Sequence, residues 1–328
     1  MQEPIFTTAK SSGIDLDRRE LKRLMRRTDA HGLAYFFGWL ATLLVLGYGL
    51  HLSLGTWWVV PAMLVYGTVL GVGAYSISHE CAHGTPFRSR WLNEAVNWFT
   101  ALIYTEEPIY RRYTHADHHT HTWITGQDTQ INPYLPMTLW GYVKELLGLY
   151  LFVANAKVLV RGALGRPEVT DYKGVPRNSI PQSEYAKIKW NSRAYLAIYL
   201  GLVVWAVAGQ TWVPVIYVFL PRLIGNPALQ LVAIPQHAEM RADVTDLRLS
   251  TRTWRTNPIV HFFHWNMAYH LEHHLYPTVP FHALPGLHAL VRDKTPTPAP
   301  GMFAAHAGII RAILRRGRAN RAAGQLAA

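Results

Sequence analysis

The sequence is almost devoid of cysteine. Cys81 is the only cysteine among 328 residues, which excludes an internal disulfide, a cysteine-ligated iron–sulfur cluster and a C-x-x-C-H haem attachment. A lone thiol fits a reducing compartment, and we expect this one to pack in the interior. The G-V-G tripeptide at 71–73 lacks a third glycine and follows no predicted strand, so it is not a dinucleotide-binding fingerprint. The chain therefore carries no sequence signal for these redox groups.

Acidic residues are also scarce. The 20 Asp and Glu residues are outnumbered by 32 Lys and Arg, which gives a formal net charge of +12. No nucleic-acid-binding motif accompanies this charge, so we expect no nucleic-acid partner. Basic residues near a membrane attract anionic lipid headgroups, at about 1 kcal/mol for each residue close to the surface. The charge therefore favours membrane lipids as the partner.

Charged residues are missing from two long apolar stretches. Residues 32–54 and 55–78 contain no Asp, Glu, Lys or Arg, and each is long enough to cross about 30 Å of hydrocarbon at roughly 1.5 Å per residue. A second pair follows at about 194–210 and 211–234. The last of these contains Arg222, which predicts a kink, a polar interior or a position at the membrane interface. The pattern predicts four transmembrane helices in two hairpins.

The placement of Lys and Arg predicts the orientation of these helices. Basic residues precede the first span and are frequent between the second and third spans and after the fourth, whereas the short connections at 53–56 and 209–211 have none. The positive-inside rule then places both termini and the central segment in the cytoplasm. Residues 1–27 do not resemble a cleavable signal, so the first span is expected to direct insertion. We therefore predict a multi-pass integral membrane protein.

Histidines form three tight clusters. In the first, the two residues are four apart; in the other two, the offsets are three and four, so on a helix the outer histidines share one face and the middle one lies at its margin. Eight imidazoles are too many for one zinc and fit two metals better, although imidazole suits iron, copper and zinc alike. The clusters consist of His79 and His83, then His115, His118 and His119, then His270, His273 and His274.

The order H-x-x-x-H, H-x-x-H-H, H-x-x-H-H, with the closing sequence N-M-A-Y-H-L-E-H-H-L-Y-P at 266–277, resembles the membrane fatty acid desaturase and hydroxylase superfamily. The resemblance covers about 76–290. It implies a non-haem diiron centre on the clustered histidines, with dioxygen as co-substrate and an unactivated C–H bond as the target. It also implies a ninth ligand after the last span, where the P-Q-H-A-E sequence at 235–239 supplies His237.

The same resemblance leaves the reaction open between two outcomes. The leading hypothesis is a fatty-acyl or lipid desaturase; the alternative is a hydroxylase or monooxygenase that acts on a lipid or a small molecule. The histidine clusters do not distinguish them. Because the sequence has no signal for a dinucleotide site, a haem attachment or an iron–sulfur cluster, we expect the electrons to come from another protein. A ferredoxin, a rubredoxin or a cytochrome with its reductase would suit the basic cytoplasmic face.

A different enzyme class shares part of the pattern. Residues 79–83 read as H-E-x-x-H, the zinc metalloprotease motif in which Glu80 would be the general base. That interpretation leaves both H-x-x-H-H clusters unexplained. A non-catalytic metal-binding membrane protein is the other minor alternative. In the favoured interpretation Glu80 orients imidazole N–H groups, as Asp117, Asp128 and Glu272 could also do.

The remaining segments fit one all-α domain spanning 1–328, in which residues 79–193 and 235–328 form a cytoplasmic helical cap that carries the dimetal site. Residues 91–104 and 138–160 are predicted to be helices at the membrane interface. Residues 162–182 read as a surface loop and 311–321 as a basic helical end. His121 turns away from the ligand face, and the isolated histidines are expected to have surface, interface or packing roles: His31, His51, His261, His264, His282, His288 and His306.

Overall fold

The computed structural model describes residues 14–130, 136–170 and 175–322, and these residues are mostly helical. The helical architecture expected from the sequence is confirmed. Two short strands, β1 (Val169–Thr170) and β2 (Pro176–Arg177), pair antiparallel. The α-helices are α1 (Arg18–Leu24), α2 (Asp29–Ser53), α3 (Val59–Ala82), α4 (Arg90–Tyr104), α5 (Pro108–Thr120), α6 (Leu139–Leu147), α7 (Leu149–Ala163), α8 (Tyr185–Ala208), α9 (Leu220–Ile224), α10 (Asn226–Ala233), α11 (Leu247–Ser250), α12 (Pro258–Phe263), α13 (His270–Leu275), α14 (Leu284–Val291) and α15 (Met302–Ala322).

Four helical segments in the described part of the chain are long and apolar enough to cross a membrane: Asp29–Ser53, Val59–Ala82, Gln182–Ala208 and Val215–Gln236. The structure therefore has the four long apolar helices that the sequence predicted, although the third begins earlier than expected. The charged residues before 194 suggested a boundary there, but the helix starts at Tyr185, after a 3₁₀ turn at Gln182–Glu184. Lys187 lies in its first turn and pairs with Glu184 at 2.9 Å, so the added turns are polar.

The fourth span is broken into several short helical pieces, in line with the kink that was one of the three expectations at Arg222. It comprises a π-helical turn at Val215–Phe219, then α9, α10 and a 3₁₀ turn at Ile234–Gln236. Prolines recur along it at 214, 221, 227 and 235, and each removes a backbone donor from the helical ladder. Arg222 lies within this broken region and is buried. Its guanidinium donates to the Tyr104 carbonyl at 3.2 Å and lies 4.2 Å from the Tyr104 ring, so Arg222 occupies a polar interior.

The predicted interface helix at 138–160 is two helices in the structure. Between α6 and α7 the chain bends by 58°, and the two helices together are long and apolar enough for a broken span or a re-entrant loop. Gly148 forms the break with φ of +61°, a conformation that favours glycine. A Cβ atom there would lie 2.1 Å from Asn226 Nδ2, so the bend is also tightly packed against α10.

Helix α3 is the central element of the fold. Of the residues in the most apolar stretch of α3, 61% are buried, compared with 17% in that of α2 and 11% in that of the third span. Glycines allow close approach: a Cβ on Gly225 would lie 1.9 Å from the Gly67 carbonyl oxygen. On the opposite side Trp39 of α2 donates from Nε1 to the Val69 carbonyl at 2.8 Å. These contacts fix the helix whose last turn carries the first histidine cluster.

Two of the predicted peripheral segments are only partly described. The surface loop predicted at 162–182 contains the end of α7, β1 and β2, while its residues 171–174 lie outside the described residues. The basic end predicted at 311–321 is helical and belongs to α15.

Candidate metal centre

Three helices and one turn carry the predicted ligands to a single buried region. His79 lies in the last turn of α3, with His83 directly after its end. Helix α5 begins at Pro108, and Glu107 caps it by accepting from the Tyr110 N–H at 2.5 Å. Its last turns carry the second cluster, α13 carries the third, and His237 follows the 3₁₀ turn at Ile234–Gln236. All nine histidines are buried except His83, which is half-buried.

The nine imidazoles form two neighbouring groups. In the first, one nitrogen from each of five residues lies within 4.8 Å of all the others: His79, His83, His115, His119 and His273. In the second, His118, His237 and His274 meet the same criterion. His270 adjoins the second group, because its Nε2 lies 3.0 Å from His237 Nε2 and 3.1 Å from His274 Nε2. The structure thus brings all nine predicted residues together.

The two H-x-x-H-H clusters use the same geometry. Within each, the outer imidazoles approach each other: His119 Nε2 lies 3.1 Å from His115 Nε2, as His274 Nε2 does from His270 Nε2. In both clusters the middle histidine joins the other group, so His118 lies with His237 and His273 lies with His79. Helix periodicity explains the shared face of the outer pair. Each of these two clusters therefore supplies ligands to both groups, because its middle histidine lies in the group opposite to its outer pair.

The donor set fits metal ions. His273 has no exposed surface, and neither of its ring nitrogens has a hydrogen-bond partner among the described residues. An unpaired buried imidazole is costly unless a ligand satisfies it. Burial also lowers the pKa of His237 and of His273 to about 3, so both rings are neutral at physiological pH. Neutral imidazole nitrogens are the form that binds transition metals.

Two of the four candidate carboxylates lie beside these imidazoles. Asp128 Oδ2 is 2.8 Å from His118 Nδ1. Burial alone would raise the pKa of Asp128, but its electrostatic interaction with the His118 ring and the hydrogen bonds from His118, Trp123 and Gln130 lower it. Glu80 Oε1 lies 3.6 Å from Nδ1 of both His79 and His273. These carboxylates are positioned to orient ligand imidazoles.

The other two carboxylates contact different partners. Asp117 lies 3.0 Å from His121 Nδ1, which agrees with the expectation that His121 turns away from the ligand face. Glu272 accepts from the Thr253 hydroxyl and lies 2.5 Å from His288 Nδ1. Both carboxylates therefore bond to neighbours outside the two histidine groups.

Several polar partners of the histidines were not predicted from the sequence. Gln130 Oε1 lies 3.1 Å from His115 Nδ1, and Thr122 Oγ1 lies 3.0 Å from His274 Nδ1. The Ser250 carbonyl lies 2.9 Å from His237 Nδ1. Thr122 follows His118 by four residues, a helical spacing that could have indicated it. The other two come from distant segments and carry no local signal.

The isolated histidines take packing roles, as expected. His264 is buried and lies 2.9 Å from the Ser76 hydroxyl, and His31 stacks on His282 with ring centroids 4.3 Å apart. His306 lies 2.8 Å from the Tyr142 hydroxyl, and His51 lies 3.2 Å from that of Tyr217.

A cavity of about 880 Å³ reaches the histidines. Its volume falls in the range of small-molecule sites. Five of the nine histidines line it: His79, His115, His118, His237 and His270. The part of the lining from α7 and α10 has apolar side chains, such as Leu151, Val158 and Leu229, mixed with the polar Asn155, Lys157 and Gln230. The part from α3 to α5 is polar and aromatic. The cavity can therefore hold a molecule of mixed polarity beside the two groups.

Comparison with known proteins agrees with this geometry. The family model described as Fatty acid desaturase matches residues 55–305. The sn-1 oleoyl-lipid 12-desaturase of Anabaena variabilis is 24% identical over 242 residues, covering 73% of this chain and 57% of that protein. The bifunctional fatty acid conjugase/Delta(12)-oleate desaturase of Punica granatum is 28% identical over 199 residues, covering 55% of this chain and 48% of that protein. The chain matches about half the length of these relatives.

Proposed function

This chain belongs to the fatty acid desaturase family, and we propose that it is a membrane-bound diiron oxidase that uses dioxygen to oxidise an unactivated C–H bond. The observation that carries the proposal is the convergence of nine histidines into two adjoining groups. A lone zinc would need only three or four of them. We assign both a metal-binding and a catalytic role to His79, His83, His115, His118, His119, His270, His273 and His274, and a metal-binding role to His237.

The chain's own residues hold and orient the metals. Two irons bound there would supply the reduction of dioxygen and the cleavage of the C–H bond. Asp128 holds the His118 ring through Nδ1, and the Ser250 carbonyl does the same for His237. Such partners fix the tautomer, leaving Nε2 free to bind metal. Burial of the groups excludes bulk water from the site.

We propose a fatty-acyl or lipid desaturase as the leading activity, supported by the names of both relatives. In that reaction the substrate loses two hydrogen atoms, and dioxygen accepts these together with two electrons and two protons to give two waters. In the alternative, a hydroxylase or monooxygenase, one oxygen atom enters the C–H bond, and the other accepts two electrons and two protons to leave as one water. The electrons come from a ferredoxin, a rubredoxin or a cytochrome with its reductase.

The topology completes the proposal. We infer that the four spans form two hairpins with both termini and the histidine-bearing cap on the cytoplasmic side. Four spans support this arrangement, since two of them lie between α5 and α13 and this even number keeps all three clusters on one side. A basic cytoplasmic face would then meet both the anionic lipid surface and an acidic electron donor.

Iron content and product analysis test the proposal together. Protein purified from iron-replete cells should carry close to two irons per chain, and its activity should be lost on chelation and restored by iron but not by zinc. Mass spectrometry of the host's lipids with and without the protein should reveal a product lighter by two hydrogens, or heavier by one oxygen for the alternative. One tightly bound zinc with peptide hydrolysis would contradict the proposal and favour the metalloprotease.

A further inference from the structure

The polar wall of the cavity contains a buried ion pair. Arg111 Nη1 donates to Glu106 Oε1 at 3.3 Å, and both side chains are only 12% exposed. Both residues line the cavity. Arg111 precedes His115 by four residues on α5, so the two side chains lie on one helix face with Cβ atoms about 5–6 Å apart. A guanidinium group is therefore held within one helical turn of a proposed metal ligand.

This ion pair is incompletely satisfied. A guanidinium has five N–H groups, and Arg111 uses two of them, on Glu106 at 3.3 Å and on the Tyr75 hydroxyl at 3.5 Å. Charge-assisted pairs normally form two parallel bonds at about 2.7–2.9 Å. Among the described residues, neither Arg111 Nε nor Glu106 Oε2 has a hydrogen-bond partner. Buried donors in this state favour a ligand that supplies acceptors.

Tyr75 adds a second donor beside the first. Its hydroxyl accepts from Arg111, so its own proton remains to be donated. Its ring lies 5.8 Å from the His79 ring between centroids and 5.4 Å from the Arg111 guanidinium carbon. Two hydrogen-bond donors thus converge between the cavity and the first histidine group.

A purely alkyl ligand could not form hydrogen bonds with Arg111 or Tyr75, so these groups would contribute nothing to its binding. Burying an ion pair is costly, and a wall of charged and hydroxyl groups rejects a ligand that cannot pair with them. The segments from α7 and α10 add apolar side chains to the lining, such as Leu151, Val158 and Leu229, beside polar ones. The lining therefore suits a molecule with an oxygen acceptor at one end and an apolar body.

We propose that the substrate carries a carboxylate or carbonyl group that enters the cavity and binds to Arg111 and Tyr75, so that oxidation occurs within a few carbons of that group. This inference rests on the proposed oxidase function and narrows its substrate class. Arg111 and Tyr75 are specificity-determining residues in this scheme. Glu106 holds the guanidinium in place but occupies only one of its N–H groups, so the other N–H groups can donate to the ligand.

Binding can be tested without the reaction. Iron-loaded full-length protein in nanodiscs, kept free of oxygen and reductant, is titrated with hexanoate, hexanamide and hexylamine while calorimetry and thermal unfolding are recorded. Hexanoate and hexanamide should bind and raise the unfolding temperature, whereas hexylamine should not. If hexanoate alone binds, the acceptor is a carboxylate; if both bind, a neutral carbonyl suffices. Binding of hexylamine alone would overturn the proposal and assign Glu106 as the anchor for a cation.

Variants separate recognition from folding. Arg111→Gln should weaken hexanoate binding roughly 10-fold to 100-fold. The matched control is Arg112→Gln, because Arg112 is the next residue on α5 but pairs with Glu94 at 2.7 Å and does not line the cavity. It should bind hexanoate as the wild type does. Equal weakening in both variants would contradict the proposal.

Two further variants keep the test decisive if Arg111→Gln does not fold. Tyr75→Phe retains the ring and should weaken hexanoate binding up to about 10-fold, whereas Glu106→Gln should leave binding equal or tighter. The opposite ranking would refute the assignment. Because these titrations need no turnover, a protein that binds hexanoate yet shows no iron-dependent oxidation would refute the proposed function and leave this assignment standing.

Discussion

At the scale of single residues, all nine proposed metal ligands except the half-buried His83 are buried, and several have a hydrogen-bond partner that is not a histidine. His118 is held by Asp128, His237 by the Ser250 carbonyl and His274 by Thr122. His273 instead lies 3.6 Å from Glu80 Oε1 and has no hydrogen bond within the described residues. The ligands therefore differ in how firmly the protein orients them before metal binds, and substitutions should separate their contributions.

Removal of one histidine from each group should affect one metal. We expect His273→Ala and His118→Ala each to reduce the iron content from about two per chain toward one and to abolish activity, because the two residues lie in different groups. Metal analysis of purified protein measures the content. His121→Ala is the matched control, since His121 pairs with Asp117 outside both groups. Wild-type iron content and activity in either ligand variant would refute the assignment.

Glu80 distinguishes an oxidase from a metalloprotease. Its Oε2 accepts from the Thr85 hydroxyl at 3.1 Å and from the Phe281 N–H at 3.2 Å, while Oε1 lies near two imidazoles. In an orienting role, Glu80→Gln should lower activity roughly 10-fold to 100-fold with iron still bound. A general base would instead be indispensable. The rate of formation of the oxidised product measures the effect. Peptide hydrolysis by the wild type that Glu80→Gln abolishes completely, with metal still bound, would favour the protease.

Asp128 has the more direct contact with a ligand. Because its carboxylate accepts from the Trp123 and Gln130 N–H groups as well as facing His118, Asp128→Asn places an amide where an acceptor is needed. We expect a 10-fold to 100-fold loss in metal affinity. Competition with a chelator during iron loading measures it. Asp117→Asn, which alters a carboxylate bonded to His121 and Ser179, should leave the affinity unchanged.

At the scale of elements, the crossing of α3 with α9 and α10 depends on two glycines. Gly67 and Gly225 bring the backbones so close that a Cβ on Gly225 would lie 1.9 Å from the Gly67 carbonyl oxygen. The approach matters for the site because α3 carries the first histidine cluster while the broken span ends beside His237. A small shift between these helices would move ligands of both groups.

Gly225→Ala should therefore destabilise the protein by about 2 kcal/mol or more, since the methyl group meets backbone that cannot easily yield. Thermal unfolding of the purified protein, followed with its iron content, measures the effect. Gly201→Ala in α8 is the control: no atom lies within 4 Å of its added Cβ, and alanine favours a helix. Equal stability of the two variants would contradict the close approach.

At the scale of the whole molecule, convergence of the clusters requires them to lie on one side of the membrane. Helices α3 and α5 precede two spans, Gln182–Ala208 and Val215–Gln236, and α13 follows them. An even number of crossings returns the chain to the same side. The bent pair of α6 and α7 fits this requirement if it enters and leaves the membrane on one face.

Cysteine labelling tests the topology. Thr56→Cys and Trp212→Cys, in the two short connections, should react with a membrane-impermeant maleimide added to intact cells, whereas Ala328→Cys should react only after the cells are opened. Native Cys81 is fully buried and can remain in place. Labelling of Ala328→Cys from outside would contradict the orientation even if every histidine proved essential.

The sequence by itself determined the local and periodic features. Apolar runs with at most one charged residue predicted the four spans because hydrocarbon excludes charge over a fixed thickness. Offsets of three and four predicted shared helix faces within each histidine cluster. The cluster order alone was enough to identify the family. These features depend on residues close together in the chain, so they can be read without knowing the fold.

Tertiary structure alone decided which histidines meet. The grouping of His273 with His79, the contact of Gln130 with His115 and the Arg111–Glu106 pair in the cavity wall all depend on how helices pack. The break at Gly148 and the fragmented fourth span likewise reflect close packing and lost backbone donors rather than hydropathy. Packing joins segments that are distant in sequence, and composition carries no record of their distance or angle.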